Sequence, residues 1–482
     1  MSPRKPKKQP NILFCLADDW SWPHASIAGD KVVKTPTFDR VAREGVLFEN
    51  AFVSSPSCTP SRGAILTGQW HWRLEEAGNL WSTLPAKFDV YPDLLESAGY
   101  HVGYTRKGWA PGYDEPGGRT RNPAGPQYKN FTEFMKARPQ GKPFCFWFGS
   151  QDPHRAYKWQ SGVNSGMKLQ DVEVPACFPD SPEVRTDICD YYWEVQRFDT
   201  EVGELLKSLE ENGELDNTLV AISGDNGMPF PRCKSNLYDL GTNVPLAVRW
   251  PAAVKGGRTV EDFISLADLA PTFLEAAGLK PTADMTARSF LNVLTSNKSG
   301  RVDRKRNHIL TGKERHVPSQ ETGADGYPMR AIRTHDFLYI RNFKPNRWPS
   351  GAAKGYAQPT EIDISKPRGT FYGYADVDAA PTKSYMLKYR NEPQVAKLFE
   401  LAFGKRPAEE LYDLHKDPDQ LNNLAGKPEY TMIKSRLAAD LLTELKATKD
   451  PRVLGRGDVF DNYPYYGGGV EGVSQKPTPK KD

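Results

Sequence analysis

Long apolar runs are missing from this chain of 482 residues. Crossing a bilayer takes about 20 apolar residues, and the longest runs, Ile12–Ala17 and Phe144–Phe148, are strand-sized. A charge excess of one sign is missing too. The 64 Lys and Arg against 60 Asp and Glu leave a net of +4, which excludes a strongly cationic nucleic-acid binder but not a local basic pocket. Cysteine is scarce, at six residues (15, 58, 145, 177, 189 and 233), and none has CxxC or zinc spacing. Cys15 and Cys145 lie inside apolar runs and read as ordinary buried thiols, whereas Cys177 and Cys189 could pair. Met1–Pro10 is basic with no apolar stretch behind it, so no signal peptide is visible. Composition therefore leaves two readings, a cytoplasmic protein or one whose signal was trimmed and a start methionine added.

What is present is a core-forming composition, 38% hydrophobic and 26% charged, with 40 Gly and 40 Pro. That describes a loop-rich globular protein of two or three domains. The first three-quarters alternates short apolar runs with helical patterns, the mark of an α/β sheet. Strands are expected at Asn11–Ala17, His101–Thr105, Phe144–Gly149 and Asn217–Ser223. Helices are expected after Thr35-Pro36 up to Gly45, at Tyr91–Ala98, at Tyr191–Leu209 and at Leu266–Ala277. Past about residue 320 the texture changes to a hairpin-like pair over Met329–Arg341, a Gly/Pro/Tyr-rich stretch over Gly351–Ser384, a strand at Glu410–Leu414 and an amphipathic helix at Glu429–Ala447. The expected organisation is a large α/β domain over 9–320 and a smaller C-terminal α+β domain over 321–482, built around a short antiparallel sheet. The tail after Asp461 is expected to hug the surface or hang loose.

Three of the expected strands end in acids. Asn11–Ala17 runs into Asp18-Asp19, Phe144–Gly149 into Asp152-Pro153-His154, and Asn217–Ser223 into Asp225-Asn226-Gly227. Ligands of open α/β sheets bind beyond the carboxyl ends of the strands. If these strands are parallel neighbours, Asp18, Asp19, Asp225 and Asn226 converge, and such an all-oxygen set suits Ca²⁺ or Mg²⁺ rather than zinc. Taken singly, each motif reads more readily as a turn. Cys58-Thr59-Pro60-Ser61-Arg62 is more specific. A Cys-x-Pro-Ser-Arg string arises by chance in on the order of one chain in a thousand. Ser61–Thr67 reads as a short helix closed by Gly68, which puts Cys58 near a helix N-terminus, where an anion is favoured.

These segments together resemble the type I sulfatases, the formylglycine-dependent branch of the alkaline-phosphatase-like superfamily. The resemblance runs from Pro10–Asp19 through Cys58–Arg62, Gly103–Lys107 and Ser223–Gly227 to Glu410–Leu424. It implies a large mixed sheet sandwiched by helices. It also implies oxidation of Cys58 to Cα-formylglycine by a maturation enzyme, and a Ca²⁺ ion, with Mg²⁺ the alternative, held by Asp18, Asp19, Asp225, Asn226 and residue 58. By the same resemblance Arg62 fixes the hydrated aldehyde, Lys107 and Lys234 bind sulfate, and His154 protonates the leaving group. The location implied is secreted or periplasmic. One position departs: Trp109 stands where the family commonly has histidine, which removes a proton shuttle there or substitutes a stacking wall for a sugar.

Ser223–Tyr238, Gln151–Arg155 and Tyr327–Arg330 resemble the sulfamidase (heparan N-sulfatase) branch and imply N-sulfoglucosamine as substrate. An O-sulfated polysaccharide is the alternative. A phosphoric or phosphonic ester hydrolase and a non-catalytic glycan-binding protein are the other readings. No nucleic acid and no membrane span are expected. Arg315, His316, Arg330 and Arg333, around the start of the second domain, read first as surface residues but could cover the catalytic edge and bind neighbouring sulfates or uronates.

Overall fold

A computed structural model describes residues 9–323, 325–353, 359–367 and 373–468. Strand β1 (Asn11–Ala17) is apolar after its first residue and buried throughout, as a strand covered on both faces must be. β2 (Val46–Phe48), β3 (Ala51–Phe52), β4 (His101–Arg106), β5 (Phe144–Gly149), β6 (Thr218–Gly224), β7 (Leu246–Arg249), β8 (Arg258–Val260) and β9 (Ile264–Ser265) follow. Seven of them form one mixed sheet in the order β4-β5-β1-β6-β7-β2-β8, and β3 pairs with β9. β1 lies parallel between β5 and β6, and β4 continues parallel beyond β5. β7 runs against both β6 and β2.

Side chains alternate across β1 with the period of two that a strand imposes. Ile12, Phe14 and Leu16 enter one apolar layer with the helices Cys58–Thr67, Tyr91–Ser97 and Leu269–Ala276. Leu13, Cys15 and Ala17 enter the other with the helices Pro36–Glu44 and Pro182–Glu211. The last of these starts nine residues before the expected Tyr191. Ser181 caps it by accepting from the Val184 amide, and Pro182 occupies its first position. Buried Asp187 and Asp190 break the apolar stripe in those first turns, which hid them from a periodicity reading.

A second sheet is antiparallel, in the order β10 (His308–Lys313), β11 (Met329–Thr334), β12 (Phe337–Asn342), β13 (Glu409–Asp413). β10 comes from before residue 320. The helix Thr431–Ala447 lays Leu437, Leu441 and Leu445 over Leu310, Ile332, Tyr339 and Leu411. Within the Gly/Pro/Tyr-rich stretch, and just after it, the chain forms helices Pro381–Lys388 and Pro393–Phe403. Residues 354–358, 368–372 and the tail beyond 468 lie outside the described residues. All six cysteines are free. The Cys177–Cys189 pairing that the sequence left open is not made, because Cys189 packs against Gly162 while Cys177 neighbours Cys233. Among the described residues no helix is long and apolar enough to cross a membrane.

Candidate active site

Four adjacent parallel strands deliver the site. β4, β5, β1 and β6 all end at one edge of the sheet, where the chain runs into Lys107, Asp152–His154, Asp18-Asp19 and Asp225-Asn226 respectively. The turns there are tight. Asp19 has φ +77° and Arg106 φ +58°, a left-handed backbone that costs a non-glycine residue about 1–3 kcal/mol unless its surroundings enforce it. The Asp19 amide is held by Asp225, donating to Oδ1 at 3.0 Å. Gly149 at the end of β5 is required by close approach, since a Cβ there would lie 1.7 Å from the Lys107 carbonyl oxygen. The helix Cys58–Thr67 begins on Cys58 itself and closes on Gly68 in the left-handed region. Arg62, one turn later, shares the face of Cys58.

The nine residues to which the resemblance assigns metal binding or catalysis come together. Cys58 Sγ lies 3.6 Å from Asp18 Oδ1 and 4.0 Å from Asp19 Oδ1. Arg62 donates from Nε to Asp225 Oδ2 at 2.7 Å and from Nη1 to the carbonyls of Lys107 and Gly108 at 2.9 Å each. Its Nη2 lies 3.5 Å from Asp18. Lys107 Nζ donates to both oxygens of Asp18, at 2.7 and 2.6 Å, and Lys234 Nζ to Asp19 Oδ2 at 2.8 Å. Asn226 donates from Nδ2 to Asp19 Oδ1 at 2.6 Å. His154 is the outlying member, with Nε2 3.9 Å from Asp19 Oδ2. Its Nδ1 lies 2.5 Å from the Arg155 carbonyl. That oxygen can only accept, so Nδ1 carries the hydrogen and Nε2 faces the site.

The electrostatics follow from burying three acids among three cations. Burial works to raise the Asp18 pKa, but Lys107, His154, Arg62 and Lys234 outweigh it and hold the carboxyl well below its ordinary range. At Asp225 burial, with the charges of Asp18 and Asp19 beside it, prevails, and the carboxyl is pushed up to about 6 despite Arg62 and Lys107. Burial likewise raises the Cys58 thiol well above its usual value, against the pull of Lys107 and Lys234. The donor chemistry fits a hard divalent cation. Asp18, Asp19, Asp225 and Cys58 bring ligand atoms within 4.8 Å of one another, and the buried Asn226 Oδ1 has no hydrogen-bond partner. A buried acceptor left unpaired costs about 1–3 kcal/mol, which a cation bound among these oxygens would offset.

The sulfatase family pattern matches residues 10–279, more than half of the chain. The chain belongs to the sulfatase family. A second pattern, N-sulphoglucosamine sulphohydrolase, C-terminal, matches residues 233–344. The sulfatase is 27% identical to an ulvan-active sulfatase of Formosa agariphila, over 98% of this chain and 80% of that one. It is 26% identical to human N-sulphoglucosamine sulphohydrolase, over 94% of this chain and 93% of that one. Two solved structures share its fold. One, an enzyme bound to its substrate D-glucosamine-2-N,6-O-disulfate, has a TM-score of 0.63 at 20% identity, covering 92% of this chain and 99% of that one. The other, a phosphonate monoester hydrolase from Silicibacter pomeroyi, has a TM-score of 0.66 at 16% identity, covering 92% and 97%. The protein is thus a sulfuric ester hydrolase of alkaline-phosphatase-like fold.

Elsewhere in this sulfatase the structure corrects the sequence reading. Trp109 is no wall for a sugar; it is buried in the core against Gly63 and Gly112. Arg330 is fully buried and paired with Asp450 and Glu314. Arg315 donates to the carbonyls of Tyr463 and Pro464, and Arg333 pairs with Asp239. These three arginines are held by the protein itself. His316 alone reaches the catalytic edge, where its Nδ1 lies 2.9 Å from Oγ of Ser57, the residue before Cys58. Sequence reasoning missed Asp378, whose Oδ2 accepts from Lys234 Nζ at 3.1 Å. No motif marks it, because only the tertiary fold brings residue 378 to residue 234.

Proposed function

We propose that this sulfatase removes sulfate from a sulfated saccharide, N-sulfoglucosamine first, using a formylglycine matured from Cys58. The observation that carries the reading is residue 58 at a helix N-terminus, enclosed by three buried carboxylates and two lysines. A neutral, buried thiol is a poor nucleophile, so residue 58 gains its reactivity by maturation. The matured residue supplies two hydroxyls, one oxygen to attack sulfur and a second through which sulfate is expelled. A divalent cation, Ca²⁺ or Mg²⁺, held by Asp18, Asp19, Asp225, Asn226 and residue 58, supplies Lewis-acid polarisation of the reacting oxygens. Arg62, locked between Asp225 and two carbonyls, fixes the hydroxyls of residue 58. Lys107 and Lys234 receive the sulfate oxygens, placing positive charge where the transition state gathers negative charge. His154, protonated at Nε2, delivers a proton to the departing atom.

The match of residues 233–344 to the sulphoglucosamine sulphohydrolase pattern and the human relative support the N-sulfated substrate. Sulfate release from N-sulfoglucosamine, together with the mass of the tryptic peptide carrying residue 58, tests the proposal. An unmodified cysteine in fully active enzyme would refute the mechanism. The Formosa relative favours a second reading, an O-sulfated polysaccharide. Desulfation of ulvan with N-sulfoglucosamine left untouched would establish that one instead.

A further inference from the structure

The mouth of the site carries a charge that an anion pocket does not need. Asp378 lies just before the helix Pro381–Lys388, and its carboxylate comes within 4.8 Å of ligand atoms of both Asp19 and His154. The side chains of His154 and Asp378 are 37% and 28% exposed. Asp18, Cys58, Arg62 and Asp225 are at most 2% exposed. With sulfur held at residue 58, the leaving group must therefore extend past His154 and Asp378. Burial opposes ionisation of Asp378, but Lys234, His154 and His316 outweigh it, and the group is an anion.

For a sulfate ester this carboxylate is a liability. It repels the substrate's own charge, and a departing oxygen carries no positive charge for it to meet. For a sulfamate the sign reverses. Nitrogen takes a proton before the S–N bond breaks, so positive charge sits on the leaving atom in the transition state.

We propose that Asp378 is the residue that selects a nitrogen leaving group, by facing the nitrogen to which His154 delivers its proton. The inference rests on the N-sulfoglucosamine reading above. The proton passes from His154 Nε2 to nitrogen, the S–N electron pair stays with nitrogen, and sulfur bonds to an oxygen of residue 58, whose hydroxyl proton passes to a carboxylate beside it. The amine leaves neutral and takes a second proton from water, so the glucosamine product is a cation at the same carboxylate. Lys234, drawn to the sulfate oxygens, releases Asp378 for this contact.

The test compares Asp378→Asn and Asp378→Glu with wild type on N-sulfoglucosamine and on 4-nitrocatechol sulfate, with glucosamine and N-acetylglucosamine as product-type inhibitors. Asp378→Asn should lose about ten- to hundredfold more kcat/KM on the N-sulfate than on the aryl sulfate, the range one charge-assisted contact is worth. Inhibition by glucosamine should weaken while that by N-acetylglucosamine stays, and Asp378→Glu should recover part of the preference. Equal losses on both substrates, or unchanged glucosamine inhibition, would overturn the proposal and leave Asp378 as a positioning residue for Lys234. Wild-type enzyme active on the aryl sulfate but inert on N-sulfoglucosamine would instead refute the substrate reading, and the inference with it.

Discussion

The carboxyl edge of the large sheet and the base of the small sheet both bury arginine against carboxylates, yet they are finished differently. Under the small sheet, Arg330 gives Nε to Asp450, Nη2 to Glu314 and Nη1 to the carbonyls of Lys313 and Met329. Arg452 closes the cluster on Glu314 and Asp458. Neither arginine has an unpaired buried nitrogen. At the large sheet's edge Arg62 is equally buried, but Asn226 Oδ1 is left without a partner, and His154 and Asp378 open to solvent. A closed network is finished by folding. The open one keeps unspent valence, as the proposed cation and substrate would require, so satisfaction of its groups, rather than charge density, separates the two.

Removing a member of each cluster is the strongest way to break that distinction. Cys58→Ala should abolish turnover with the fold intact, while Cys58→Ser should take up sulfate and stall, leaving a sulfated peptide detectable by mass. Substantial steady-state turnover by the alanine variant would sink the mechanism. Glu314→Gln should do the opposite. It takes the carboxylate shared by two buried guanidinium groups, and breaking a buried pair costs about 3–5 kcal/mol; urea denaturation should show that loss while KM of the folded enzyme stays put. A changed KM with unchanged stability would place that cluster in function.

Chelation should then lower the melting temperature, since a cation at a hundred times its Kd stabilises the folded state by about 2.7 kcal/mol. Unchanged melting and full activity after exhaustive chelation would argue against a metal here. The smallest effect concerns His316, which vanishes at neutral pH. Burial holds its pKa down to about 4 against an ordinary 6.5. The unfolded chain therefore binds the proton first, and its share of stability is complete above pH 6.5 and lost as pH falls toward 4. The slope approaches about 1.4 kcal/mol per pH unit at most. Between those limits the melting temperature of His316→Asn should fall less steeply than that of wild type.

Much of the site was legible because it is written locally. Apolar strands running into Asp18-Asp19 and Asp225-Asn226, and a capped helix beginning near Cys58, are short-range patterns, and parallel pairing of β1 with β5 and β6 did the rest. What escaped is contact at long range. Nothing near Arg330 announces Asp450, and nothing near Lys234 announces Asp378. Arginines assigned to the substrate were instead bound by carboxylates and carbonyls distant in the chain. The stacking wall offered for Trp109 fails for a related reason: position in a motif says which residue stands there, while burial depends on the neighbours that the fold supplies.

The placement of β1 also sets a clock. Its partners β5 and β6 begin at residues 144 and 218, so the strand bearing Asp18 and Asp19 waits with both edges bare while the chain is made. At about 5–20 residues per second, roughly ten to thirty seconds separate the synthesis of Cys58 from that of β6. During that interval residue 58 is open to a modifying enzyme, and afterwards the completed sheet shuts it in at 2% exposure. On the maturation proposed for residue 58, chain that folds faster than it is modified would stay inert however well it folds, and slower translation between residues 58 and 218 should raise the active fraction without changing a single contact.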